Sequence, residues 1–184
     1  MRRLVADLLL LARADSGREA TRTTIDLPEV VREAASELQS IAGEHAFALD
    51  LDDDIAVHGT RDDLHRLALN LMENALRFTP AGTRVEVSVQ RTGTTVVLAV
   101  EDDGPGVPED LRDRVFERFV RGAGDGGGSS GLGLAIVKAV AEGHGGTVQM
   151  APPLDGVGAR FVVELPVLAV PSGAVSPSPA RATS

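Results

Sequence analysis

Ten residues in the last third of the chain, Gly126-Gly127-Gly128-Ser129-Ser130-Gly131-Leu132-Gly133-Leu134-Ala135, leave few folds open. They run from glycine and serine straight into an apolar segment. Ile136, Ala139 and Val140 recur there at helical spacing, which predicts a helix from Leu132 to about Glu142, stopped at Gly143. Backbone N–H groups at a glycine-opened helix N-terminus form an anion site, and the helix dipole favours negative charge there. Glycine and serine also make flexible linkers. A linker, however, has no need to end in Gly-Leu-Gly-Leu and enter an apolar helix. Ser130, Gly131, Leu132, Gly133 and Leu134 are therefore candidate anion-binding residues.

Composition narrows the partners. With 184 residues and 43% hydrophobic content, the chain can bury one compact core that mixes helices and strands. It has no cysteine, which removes disulfides and thiolate metal sites. A net charge of −9 without a basic tract argues against a nucleic-acid partner. No apolar run reaches the roughly 18 residues of a membrane span. Met1-Arg2-Arg3 before Leu8 to Leu11 and Ala12-Arg13-Ala14 imitates a secretory signal, but Asp7 and Arg13 interrupt it.

Periodicity predicts the elements. Leu4, Leu8 and Leu11 repeat along a helix over residues 1–14, ended by Ser16-Gly17, which has no domain of its own to cover. Ile25 and Leu27 suggest a short strand. Asp26 is placed to cap a helix with Pro28 in its first turn, continuing through Leu38. Phe47 to Leu51 and Ile55 to His58 read as strands, and Asp62 to Phe78 as a long helix that Thr79-Pro80 terminates. Val85 to Val89 and Val96 to Val100 form a hairpin around Thr92-Gly93-Thr94. A short helix is expected near Glu109 to Val115, and two closing strands at 147–150 and 161–165. Residues 169–184, rich in Pro, Ser and Ala, are expected to be disordered.

Two further patches carry chemistry. On the Asp62 to Phe78 helix, Asn70, Asn74 and Arg77 fall within roughly 60° of one another, away from the apolar side of Ala68, Leu71, Met72 and Ala75. A carboxamide oxygen suits Mg²⁺, and a guanidinium offers phosphate a fixed donor fork. An ordinary solvated helix face would look the same. Asp102-Asp103-Gly104-Pro105-Gly106-Val107 comes directly off a strand, so Asp102 can offer a carboxylate to a buried amine while the glycines let backbone approach. A plain turn is the alternative. Other nucleotide signatures fail: no glycine precedes Lys-Ser/Thr, Glu109 stands where a dinucleotide fingerprint needs its third glycine, and no kinase His-Arg-Asp loop is present.

Order and spacing together are more specific than any patch alone. Asn70-Leu-Met-Glu-Asn74-Ala-Leu-Arg77-Phe78-Thr79-Pro80 resembles the N box of sensor histidine kinases. Asp102-x-Gly104-Pro-Gly106 resembles their first glycine box, Phe116-Glu-Arg-Phe119 their F box, and Gly131 to Lys138 followed by His144-Gly-Gly146 their second glycine box. Gly156-Val-Gly158-Ala-Arg-Phe161 resembles the last, weaker glycine element. The likeness covers about residues 21–166. Residues 1–17 resemble the end of the second helix of the dimerisation and phosphoacceptor hairpin, leaving 21–168 as the catalytic ATP-binding domain.

The resemblance implies an α+β two-layer sandwich of the Bergerat type, with a mixed, mostly antiparallel sheet and helices on one face. It implies ATP and Mg²⁺ as ligands. Asp102 would accept from the adenine amino group and Phe78 would pack near the base, with Gly104, Gly106 and Val107 beside it. Asn74 would hold Mg²⁺, with Asn70 and Arg77 near the phosphates. Phe116 to Gly128, including Phe119, would form a mobile lid, and Ser130 to Leu134 would bracket the triphosphate. The implied partners are a phosphoacceptor domain and a response regulator, with a weak contact between two copies through residues 4–12. The implied setting is the cytoplasm, below an inner-membrane sensor.

The pattern also departs from the family. No histidine is followed by an acid early on a helix, so His45, His58, His65 and His144 are read as structural or surface residues and the acceptor histidine is expected on another segment. Thr60 stands where relatives commonly carry Asp, and Ala159 where they often carry a hydroxyl. A gyrase-type hydrolytic ATPase would have Glu where Asn70 stands; Glu73, three residues on, points about 60° away and is not expected to replace it. An anti-sigma-factor serine kinase, on the same fold, would not need the leucine helix.

Overall fold

The computed structural model describes residues 2–15, 21–121 and 130–168. Helix α1 spans Arg2–Asp15 and strand β1 Thr23–Asp26. Helix α2 covers Leu27–Gln39, and strands β2 and β3 cover Ala46–Leu51 and Ala56–Gly59. Helix α3 runs from Arg61 to Phe78. Strands β4 (Arg84–Thr92) and β5 (Thr95–Asp102) form the expected hairpin, followed by α4 (Glu109–Arg112), α5 (Gly133–Gly143), β6 (Thr147–Ala151) and β7 (Ala159–Pro166). The tail from 169 onward and most of the glycine stretch lie outside the described residues.

Five strands form one sheet in the order β2-β4-β5-β7-β6, in which only the β2–β4 pair is parallel. Strands β1 and β3 make a separate antiparallel pair. Alternation sorts the large sheet. Val85, Val87 and Val89 on β4, Val96, Leu98 and Val100 on β5, and Phe161, Val163 and Leu165 on β7 are all buried. They meet apolar residues of α2, α3 and α5 in one core, so helices and sheet form two layers. Leu49, Val87, Val100, Phe161 and Met150 stand in register across the five strands. Asp102 is two residues beyond Val100, so the pleat turns its carboxylate to the same helix-covered face.

Local chemistry sets the boundaries. The Asp26 side chain accepts from the Glu29 N–H at 2.9 Å, capping α2 with Pro28 in its first turn. Leu27 therefore begins a helix instead of ending a strand. Thr79 is extended before Pro80, which ends α3 as expected. Helix α4 is shorter than predicted, closing in turns after Arg112. Gly143 lies inside α5; the left-handed glycine is Gly145, at φ +74°, and its N–H bonds back to the Glu142 carbonyl. The leucine helix α1 does cover something: Leu11 is 3% exposed against the core beside α5, and buried Asp7 pairs with Arg66 of α3.

Leu71 is fully enclosed on the core side of α3. Leu71→Ala should lower unfolding free energy by about 2–5 kcal/mol without altering the slope in urea. An unchanged urea midpoint would contradict this packing.

Candidate functional site

A cavity of about 850 Å³ opens between α3, the end of β5 with its following loop, and the start of α5. Asn70, Asn74, Arg77 and Phe78 line it from α3. Asp102, Gly106 and Val107 line it from the strand end, and Ser130, Gly131, Gly133 and Leu134 from the approach to α5. Three patches far apart in sequence thus share one space.

Asn70 is 5% exposed, so it does not belong to a solvated face. Its Nδ2 is buried with no hydrogen-bond partner among the described residues. An unmet buried donor costs about 1–3 kcal/mol, a debt that a ligand oxygen can cancel. The start of α5 adjoins Asn70: a Cβ built on Gly133 would stand 3.6 Å from Asn70 Oδ1, an ordinary contact distance. The Arg77 guanidinium lies 5.8 Å from the Phe78 ring centroid, a cation–π contact on the cavity wall.

Asp102 is 6% exposed. Burial raises its carboxyl above the ordinary aspartate range, while N–H bonds from Gly104 and Ala159 oppose that shift and Asp103 and Glu101 reinforce it. Both bonds, at 3.0 and 3.4 Å, fall on Oδ1, which leaves Oδ2 for a donor in the cavity. Glycine permits this arrangement. A Cβ on Gly158, at φ +95°, would come within 1.6 Å of the Asp102 carbonyl oxygen. One on Gly106, at φ +75°, would come within 2.8 Å of the Gly158 oxygen. The loop after β5 and the start of β7 can therefore stack around the carboxylate.

Four expected residues do not line this space. Gly104 sits behind it, packed on Thr79. Leu132 is fully buried. Phe116 meets Phe161 edge-on, with centroids 6.1 Å apart. Phe119 is 64% exposed at φ 65°, its N–H bonded to the Gly131 carbonyl at 2.8 Å. The remainder of the expected lid, at 122–128, lies outside the described residues.

Other lining residues escaped the sequence reading. Leu4 and Asp7 of α1 reach the cavity. Glu73, discounted from the sequence for pointing away from Asn70, lines it as well. The signal for Asp7 was present, since an acid in an apolar run needs a buried partner. Ala159 and Phe161 also line it and follow from the β5–β7 register. His144, read earlier as structural or surface, is buried.

The donor set fits a phosphate-bearing ligand with a hard cation. Among the described residues no cluster of three or more His, Asp or Glu side chains could hold a metal ion. Asn74 brings a carboxamide to the cavity wall, and a carboxamide oxygen is a ligand type that a hard cation accepts beside water and phosphate.

A cavity of this size, walled by a buried aspartate on one side and by an amide-bearing helix and a glycine-opened helix on the other, defines an ATPase-type nucleotide domain with the Bergerat sandwich fold. The family profile described as histidine kinase-, DNA gyrase B-, and HSP90-like ATPase matches residues 59–169, and the chain belongs to that family. A curated relative, the probable sensor histidine kinase TcrY of Mycobacterium tuberculosis, is 43% identical over 169 residues, covering 90% of this chain and 35% of TcrY. The chain thus spans about a third of that relative. Solved structures of sensor histidine kinases are similar as well. The mycobacterial sensor histidine kinase MprB has a TM-score of 0.73 and 32% identity over 79% of this chain and 98% of that one. Full-length ShkA in complex with AMPPNP has a TM-score of 0.76 and 31% identity over 89% of this chain and 35% of that one. No helix among the described residues is long and apolar enough to cross a membrane.

Gly158→Ala should destabilise the domain by at least about 1–3 kcal/mol, because both the left-handed backbone and the Asp102 carbonyl resist a Cβ. Thermal unfolding measures it, and an unaltered midpoint would contradict the stacked loops.

Proposed function

We propose that this domain binds Mg·ATP and presents its γ-phosphoryl group to a histidine on a separate helical hairpin, as the catalytic part of a two-component sensor kinase. One observation carries the reading: a buried aspartate with an open carboxylate oxygen shares a cavity with an unpartnered buried amide donor. The first suits an exocyclic amine and the second a phosphate oxygen. That the relative ShkA takes AMPPNP supports the same ligand class.

In this reading Asp102 selects adenine and Phe78 flanks the base. Asn70, Arg77 and the amides from Ser130 to Leu134 hold phosphate oxygens, with the dipole of α5 behind them. Asn74 supplies the protein's oxygen to Mg²⁺, whose charge would neutralise the phosphates. No residue of the domain need form a covalent bond. Its contribution is alignment and charge, which is most of what phosphoryl transfer asks of a protein. Phe116 and Phe119 begin the segment that would close over the ligand.

The acceptor is proposed to lie elsewhere because three of the four histidines here have partners within the domain and His58 is exposed on a strand, not early on a helix before an acid. His45 bonds the Ala42 carbonyl and Thr79, His58 is on β3, His65 pairs with Glu37 on α2, and His144 caps α5. Residues 1–17 are proposed as the end of the second hairpin helix, with a weak contact between two copies through residues 4–12 and a response regulator as the downstream partner. Since ATP is its substrate, the domain is placed in the cytoplasm, below a membrane sensor. Hydrolysis is the second reading, because Glu73 lines the same cavity.

Calorimetric titration with ATP and GTP, with and without Mg²⁺, tests these roles. The parent should prefer ATP, and Asp102→Asn should lose about 1.5–3 kcal/mol of binding together with that preference. Asn74→Ala should lose the gain in affinity that Mg²⁺ provides. Equal affinity for ATP and GTP in the parent would remove the adenine role. Retained Mg²⁺ dependence in Asn74→Ala would remove the metal role.

A further inference from the structure

The end of α5 carries a histidine that the nucleotide reading leaves unused. His144 is 9% exposed, and each ring nitrogen has one backbone partner. Nδ1 lies 2.8 Å from the Val140 carbonyl oxygen. The Thr60 amide donates to Nε2 at 3.1 Å. A carbonyl can only accept, so Nδ1 carries the hydrogen. An amide N–H can only donate, so Nε2 is bare. Both bonds together allow a single form of the ring, the neutral Nδ1–H tautomer.

The partner of Nε2 matters because Thr60 is the N-cap residue of α3, and its own side chain makes no capping bond. The ring of α5 thus tethers the start of α3. Gly59 admits it: a Cβ there would lie 2.5 Å from His144 Cδ2. The Arg22 guanidinium bonds the adjacent Gly143 carbonyl. Charged and titratable groups face the ring from three sides: Asp63 on α3, His58 on β3, and Arg22 ahead of β1.

Helices α3 and α5 pack along each other. They also carry adjoining parts of the cavity wall, Asn70 and Asn74 on one and Gly133 and Leu134 on the other. A tether at their far ends holds the axial register that brings those walls together. We propose that neutral His144 is a positioning residue for nucleotide binding, and that its protonation releases the α3–α5 register and weakens that binding. This rests on the nucleotide reading above. A proton on Nε2 sets two donors against each other, ends the Thr60 bond, and leaves Asp63 as the attractive partner for the imidazolium.

The pH direction follows from the environment. Burial lowers the His144 pKa from its ordinary 6.5; the Val140 bond and Asp63 oppose that, and Arg22 and His58 add to it. The folded state therefore binds its proton less readily than the unfolded chain. The brace's contribution is complete above pH 6.5 and is lost as pH falls through the lower folded value.

The test is the affinity for Mg·ADP by calorimetry between about pH 8 and pH 5, on the parent, His144→Gln and His144→Ala. A glutamine oxygen can accept from Thr60 N–H but does not titrate. Parent and glutamine variant should agree within about threefold at the alkaline end and diverge by about tenfold or more at the acid end, with the parent weaker. Titration of the nucleotide phosphates affects both and cancels. The alanine variant should bind weakly throughout. Parallel profiles for parent and glutamine variant, or parental affinity in the alanine variant, would overturn the proposal. If alanine prevents folding, the glutamine comparison decides alone. If the parent binds no Mg·ADP at any pH, the nucleotide reading itself fails. Melting temperatures against pH then judge the brace, with a fall below pH 6.5 confined to the parent supporting it and parallel curves rejecting it.

Discussion

Asp102 ends the central strand with its carboxylate turned into the helix-covered face, and the neighbouring loops are shaped by what that burial requires. An ionised side chain out of water is costly unless hydrogen bonds and a ligand meet it. Amides from Gly104 and Ala159 meet one oxygen. Gly106 and Gly158 allow the close backbone approach that brings those amides in. The strand alternation that puts valines against the helices thus puts a hydrogen-bond acceptor at the floor of a cavity.

The opposite side depends on helix periodicity. The turn that buries Leu71 and Met72 of α3 also brings Asn70, Asn74 and Arg77 to the cavity. Helix α5 meets α3 where Gly133 adjoins Asn70, and His144 joins the same two helices at the other end. The cavity is as well defined as the spacing between these helices. The described part of α1 adds a third side through Leu4 and Asp7 and is fixed by the Asp7–Arg66 ion pair.

Much of this was legible in the sequence, for identifiable reasons. Asp26-Leu27-Pro28 and Thr79-Pro80 mark helix ends by chemistry that acts locally, and both boundaries hold to within a residue. The Val85–Val100 hairpin follows from strict alternation around Gly93. The three cavity patches could be picked out because each combines residue types that seldom serve packing alone. What was not legible depends on contacts between distant segments. Nothing near Asn70 in sequence shows that its amide is buried without a partner. Nothing near His144 points to Thr60, 84 residues away. Gly143 resembled a helix stop, but the chain turns at Gly145, where Gly146 fits under the Glu164 carbonyl. Phe116 resembles the start of a lid by its motif, and nothing near it in sequence points to Phe161, which it meets edge-on.

The proposed function requires one ligand to touch the amide-bearing helix, the buried aspartate's loop and the start of the last helix at once. Backbone amide NMR of the isotopically labelled chain, titrated with Mg·ATP, reads this residue by residue. Signals of Asn74, Gly106 and Gly133 should shift together along one saturation curve, with strand β2 unaffected. Shifts confined to one of the three segments, or curves with different midpoints, would contradict it.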